Sequence, residues 1–118
     1  HVVLEKVYAA AHKISHPKIA CLGLAFKPDI DDLRESPSLH IVEALAESKI
    51  AELLVVEPNI GSLPRGLKGK DGVYLVSLKE AMEQADIVLL LVDHKEFKQM
   101  DRSLLNGKAV IDTRGIFE

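Results

Sequence analysis

Apolar positions along this chain alternate between helical and strand-like spacing, and Pro, Gly and Ser punctuate the changes. Val3, Val7, Ala10, Ala11 and Ile14 recur at helical intervals with Glu5, Lys6 and Lys13 on other faces, so residues 2 to about 14 predict a helix. Pro17 ends it, because the residue before a proline avoids helical geometry. Lys18 to Leu24 is nearly all apolar, the pattern of a parallel-sheet strand covered on both faces. Ser36 suits an N-cap and Pro37 a first helical position. Leu39, Ile41, Val42, Leu45 and Ala46 then give the segment from Ser36 to Ser48 an apolar face.

Leu53 to Val56 predicts a second buried strand, closed by Glu57-Pro58-Asn59. Residues 60–72 carry glycines, Pro64, Arg65, Lys68 and Lys70, and read as a loop. Val73 to Val76 is a short third strand. Ser77 caps the next helix with Glu80 in a capping-box position, and Leu78, Ala81, Met82 and Ala85 face inward. Asp86 to Val92 is the strongest strand signal, followed by Asp93 and His94. A helical segment from Lys95 to Leu105 has Phe97, Met100 and Leu104 as its apolar side, and Asn106-Gly107 makes a turn. Lys108 to Ile111 forms the last strand, ending in Asp112-Thr113-Arg114-Gly115.

Strands alternating with helices imply right-handed crossovers, hence an α/β, Rossmann-like three-layer sandwich with a mostly parallel five-stranded sheet. The first strand is expected at the centre. Ligands of such sheets collect outside the carboxyl ends of the strands. That edge is expected to gather Lys27, Arg34, Asp93, His94 and Arg114.

Composition narrows the possibilities. A chain of 118 residues is one domain with a real core, and a net charge of -3 argues against non-specific nucleic-acid or membrane binding. The longest unbroken apolar run, Ile87 to Val92, is too short to span a bilayer. The single cysteine, Cys21, excludes an internal disulfide and fits a reducing, cytoplasmic compartment. Mid-strand, it reads as a small buried residue, since a reactive thiolate wants an exposed electropositive setting. The chain opens at His1 with no signal-peptide pattern. A piece of a longer protein is therefore expected, with residues 1–16 the end of an interdomain connector and 17–118 a ligand-binding domain.

The candidate chemistry concentrates between Gly23 and Pro37. The turn lacks Gly-x-Gly-x-x-Gly, and the chain has no Walker motif, so independent NAD binding is not expected. Glu57 ends the second strand as the ribose-binding acid of dinucleotide folds does, but well beyond the usual spacing of about 20 residues. Lys27 and Arg34 read either as solvated partners of Asp29, Asp31, Asp32 and Glu35 or as anion ligands. Phe26 offers its ring to a base or sugar, or to the core. The four acids suggest a hydrogen-bond network rather than a metal site. His94 has no evident nucleophile beside it, which favours a packing or hydrogen-bonding role over general base. With Arg114 as a third cation, the edge reads as an anion site for a phosphorylated ligand.

Gly-Leu-Ala-Phe-Lys-Pro followed by Asp-Asp-Leu-Arg-Glu-Ser-Pro, within residues 23–37, strongly resembles the C-terminal UDP-binding domain of the UDP-glucose/GDP-mannose dehydrogenase family. The resemblance extends through Val55 to Asn59, Ala85 to Val88 and Asp112 to Gly115, nearly the whole chain. Asp-Asp-Leu-Arg-Glu-Ser-Pro, Val-Glu-Pro-Asn-Ile and Leu-Val-Asp-His look most like the UDP-N-acetyl-D-mannosamine dehydrogenase branch. The resemblance implies an NAD-dependent, two-step oxidation of a sugar C6 alcohol to a carboxylate through a catalytic cysteine. It also implies that Phe26, Lys27 and Arg114 contact the UDP-sugar. Arg34 would reach the pyrophosphate of an NAD held by an N-terminal domain, and the intact enzyme would be a homo-oligomer. Cys21 does not match the catalytic cysteine, so no catalytic or metal residue is assigned and this chain alone is expected to be inactive. The alternatives are the same domain of a UDP-glucose or GDP-mannose enzyme, or a free-standing nucleotide-binding module.

Overall fold

The computed structural model describes residues 1–25, 33 and 36–117. The elements run in the order α1 (Val2–Ala11), β1 (Lys18–Leu22), α2 (Pro37–Ser48), β2 (Glu52–Val56), β3 (Val73–Leu75), α3 (Leu78–Gln84), β4 (Ile87–Leu90), α4 (Lys95–Lys98), a 3₁₀ turn (Arg102–Leu105) and β5 (Ala109–Asp112). The five strands form one sheet in the order β3-β2-β1-β4-β5, and every pairing is parallel. β1 lies at the centre, with Cys21 level with Val55 on one side and Leu89 on the other. This is the expected Rossmann-like sandwich.

The near-continuous apolar strands follow from burial on both faces. Successive side chains of a strand point to opposite faces, so each strand feeds two cores. Ile19, Cys21, Leu53, Val55, Ile87 and Leu89 join Val7 and Ala11 of α1 and Val42 and Leu45 of α2. Ala20, Leu22, Leu54, Val56, Val88 and Leu90 join Ala81, Met82 and Ala85 with Phe97 and Met100. Cys21 is fully buried, and that burial pushes its thiol up to about 12. It belongs to the core, as its mid-strand position suggested.

Several boundaries move, each for a local reason. α1 stops at Ala11, short of residue 14, because the amides of Lys13 and Ile14 bond three residues back to Ala10 and Ala11 in a tightening turn. Ile14 still packs on the core. β4 covers less than the apolar run, since the amides of Leu91 and Val92 both turn to the Leu22 carbonyl. The segment from Lys95 to Leu105 is two pieces. Asp101 accepts from the Ser103 amide at 2.9 Å and starts a new turn, so Leu105 packs inward while Leu104 is left exposed. Within the loop before β3, Leu67 is fully buried, which the loop's polar composition did not signal.

Candidate functional site at the carboxyl edge of the sheet

The central strand leaves the sheet through Gly23. Its φ of +101° belongs to the region that glycine tolerates, and a Cβ there would stand 2.6 Å from the Val92 Cβ. The Gly23 amide donates to the Val56 carbonyl at 2.8 Å. The chain thus threads between the ends of β2 and β4 before delivering the next two amides, those of Leu24 and Ala25.

Those two amides do not face solvent. Both donate to Oε1 of Glu57, at 2.9 and 3.1 Å, and the His94 Nε2 lies 2.8 Å from the same oxygen. Oε2 accepts from the backbone amide of Asn59 at 3.1 Å and from its side-chain amide at 3.0 Å. Both the Glu57 and the His94 side chains are fully buried. Burial by itself would raise the Glu57 carboxyl. Hydrogen bonds from His94, Leu24 and Asn59, with the attraction of His94, outweigh it and hold the group below its ordinary value. Glu57 is therefore an ionised acceptor, and His94 donates to it through Nε2.

The N-terminus of α2 closes the other side. Ser36 accepts from the Leu39 amide at 3.3 Å, and its own hydroxyl donates to the Leu24 carbonyl at 2.6 Å. The Ser38 hydroxyl reaches the Leu91 carbonyl at 3.4 Å, and the Arg114 Nε donates to that same carbonyl at 3.0 Å. Arg114 is thereby anchored at its Nε while the residue stays exposed, close to the positive end of a helix. Asp112 Oδ1 accepts from the amides of Arg114 and Gly115, at 2.9 and 2.8 Å, and Oδ2 from Phe117 at 2.8 Å. Burial tends to raise the Asp112 carboxyl, but the Phe117, Arg114, Gly115 and Ile116 amides lower it overall. It serves the turn that presents Arg114 and holds no proton to transfer.

The expected convergence is met in part among the described residues: Asp93, His94 and Arg114 follow β4 and β5 at this edge. Phe26, Lys27, Arg34 and the acids Asp29, Asp31, Asp32 and Glu35 lie outside the described residues. His94 takes a hydrogen-bonding role, on Glu57, with its ring 5.5 Å from that of Phe97. Glu57 stands at the strand end where dinucleotide folds keep a ribose-binding acid, but its carboxylate is turned inward onto the backbone of the β1 exit. The distant Glu57–His94 pairing had no local signature, although Glu57 directly follows β2 and His94 lies four residues past the end of β4. Among the described residues no group of three or more His, Cys, Asp or Glu side chains is placed to hold a metal, and no helix is long and apolar enough to cross a membrane. NAD does not fit at the β1 turn. Consecutive amides there would cradle a pyrophosphate in a dinucleotide fold, but Glu57 already takes both.

The family model described as the UDP-glucose/GDP-mannose dehydrogenase family, UDP binding domain, matches residues 20–118. A UDP-N-acetyl-D-mannosamine dehydrogenase of Campylobacter jejuni is 56% identical over 95 residues, covering 80% of this chain and 23% of the relative. An NDP-N-acetyl-D-galactosaminuronic acid dehydrogenase of Ralstonia nicotianae is 47% identical over 117 residues, covering 99% of this chain and 27% of the relative. The native structure of the UDP-N-acetyl-mannosamine dehydrogenase from Staphylococcus aureus superposes with a TM-score of 0.76 at 28% identity, over 98% of this chain and 26% of that one. The chain spans about a quarter of the length of these relatives.

Proposed function

The chain belongs to the UDP-binding domain family of the UDP-glucose/GDP-mannose dehydrogenases, and from that premise we propose that it binds a UDP-sugar at the carboxyl edge of its sheet, as part of a UDP-N-acetyl-D-mannosamine 6-dehydrogenase. The observation that carries the reading is the placing of Arg114. It is fixed through Nε to the Leu91 carbonyl, which also accepts from Ser38 in the first turn of α2. Arginine and a helix N-terminus both favour a phosphate oxygen. In this reading Lys27 adds a point charge, Phe26 an apolar face, and Arg114 a directed guanidinium toward the nucleotide. Residues 17–118 form the nucleotide-sugar domain and residues 1–16 the end of a connector to the rest of a cytoplasmic homo-oligomer.

NAD supplies the hydride acceptor when bound to that enzyme, and this chain contributes Arg34 toward its pyrophosphate rather than a dinucleotide cradle. A second reading follows from the 47% identity, over nearly the whole chain, to an NDP-N-acetyl-D-galactosaminuronic acid dehydrogenase: the same domain serving a different amino sugar. The residues that read the sugar then lie outside this chain.

NMR titration of the labelled chain with UDP, GDP and NAD tests the proposal. Shifts with UDP centred on residues 26, 27 and 114, and weaker ones with GDP, are expected. Stronger shifts with GDP would move the assignment to the mannose enzymes. Stronger shifts with NAD, or no UDP response at all, would overturn it.

A further inference from the structure

We infer that Glu57 and His94 are positioning residues for nucleotide binding, acting as a built-in anion and its support that preset the exit of β1 at Leu24 and Ala25. The inference rests on the proposed UDP-sugar site and adds residues that never touch the ligand. A pair of consecutive backbone amides after the first strand of a sheet is an anion receptor by construction. Here the receptor is closed by the chain's own carboxylate, with Oε1 within 3.1 Å of the Leu24 and Ala25 amides. The same oxygen takes the His94 Nε2 at 2.8 Å, while Oε2 is held by both amides of Asn59. One carboxylate therefore joins the exits of three strands: β1 through Leu24 and Ala25, β2 through its own backbone, and β4 through His94.

The arrangement has two consequences. Ligand phosphate cannot use the backbone receptor, so charge recognition at this edge passes to side chains such as Arg114. Glu57 sets the β1 exit at Leu24 and Ala25 and, through the Ser36–Leu24 bond, the N-terminus of α2 that shares the Leu91 carbonyl with Arg114. A ligand that requires one geometry of this edge binds in proportion to the fraction of molecules already holding it.

The test compares Glu57→Gln, His94→Leu and His94→Gln in the 118-residue chain, with the amide spectrum as the check of folding. Glutamine at 57 keeps the shape but sets an NH₂ group against N–H donors. Glutamine at 94 retains a donor near the Nε2 position, whereas leucine does not. Hydrogen exchange at the Leu24 and Ala25 amides reads the clamp without any ligand, and UDP titration reads its effect. Glu57→Gln and His94→Leu are expected to exchange those two amides at least tenfold faster while amides in β1 and β4 stay protected. They are expected to bind UDP about tenfold more weakly, as when the competent geometry of the β1 exit is populated a tenth of the time. His94→Gln should recover most of both. Unchanged exchange, or faster exchange with wild-type UDP affinity, would overturn the inference and leave the UDP site standing. Faster exchange spread evenly through β1 and β4 would reduce the pair to a core-stability role and overturn it too. A wild-type chain that ignores UDP would remove the site itself, and the inference with it, whatever the exchange showed.

Discussion

The Ser36 hydroxyl donates to the Leu24 carbonyl at 2.6 Å while accepting from the Leu39 amide, so one side chain both caps α2 and ties it to the exit of β1. The two ends of the motif-bearing segment are thus joined by a bond that is buried on both sides. Ser77 caps α3 by the same geometry, accepting from the Glu80 amide at 3.1 Å, but at the surface and with its hydroxyl turned to the Glu80 carboxylate.

That contrast fixes the first expectation. Ser77→Ala should cost about 1 kcal/mol, the ordinary value of a lost N-cap. Ser36→Ala removes a cap and also strips the donor from a buried carbonyl, a further cost of about 1–3 kcal/mol. Urea unfolding of both variants, read as ΔG at constant m, checks it. Equal losses would mean that the Leu24 carbonyl finds another donor and that the tie contributes nothing.

Gly23 and Gly69 separate backbone strain from crowding. Both have positive φ, +101° and +79°. A methyl group at Gly69 meets nothing within 4 Å, whereas at Gly23 it runs into Val92. Gly69→Ala should therefore lose about 1 kcal/mol from conformation alone. Gly23→Ala should lose that and a further 1–3 kcal/mol, roughly, from overpacking. Thermal unfolding of the two variants decides. A Gly23 variant no worse than the Gly69 variant would show that the β1 exit gives way without cost.

Much of this was written in the chain. Continuous apolar runs gave the buried parallel strands, Ser36-Pro37 and the Ser77/Glu80 pair gave two helix starts, and alternation of strands and helices put β1 at the centre. These signals are local, and local patterning is what periodicity reports. The Glu57–His94 bond is not local. It joins residues 37 positions apart, and nothing in either neighbourhood distinguishes an acid that faces a ligand from one that folds back onto the backbone. Leu67 and Leu104 fail for a related reason. Whether an apolar side chain in irregular structure finds the core depends on tertiary packing, which left Leu67 fully buried and Leu104 exposed.

Cys21 supplies a probe that needs no engineering. Its thiol is fully buried and pushed up to about 12, so the thiolate is scarce and inaccessible in the folded chain. A disulfide reagent at about pH 8 is expected to leave the native protein unmodified and to label one thiol promptly in denaturant. Under native conditions any labelling should track global opening, slowing in step with added stability. Rapid native labelling would show that the central strand opens locally, which the two-sided core argues against.

Glu57 sets the acid limb of stability. Its folded-state carboxyl lies below the ordinary 4.5, the bonds from His94, Leu24 and Asn59 having overcome the opposing effect of burial. With the folded value depressed, the unfolded chain takes up the proton first as acid is added. Stability from Glu57 is then fully present above about pH 4.5 and lost as pH falls through the folded value. Asp112 and Asp101 are likewise held low by backbone amides, but they are common to wild type and to Glu57→Gln and cancel in the difference. The stability gap between the two proteins should be widest near neutrality and should narrow steadily below about pH 4.5, because glutamine cannot take up the proton. Denaturant unfolding from pH 7 down to about pH 3 measures that gap directly. A gap that stays constant across the range would mean that the carboxylate is no better stabilised in the folded chain than in water, and the inward-facing clamp would lose its electrostatic basis.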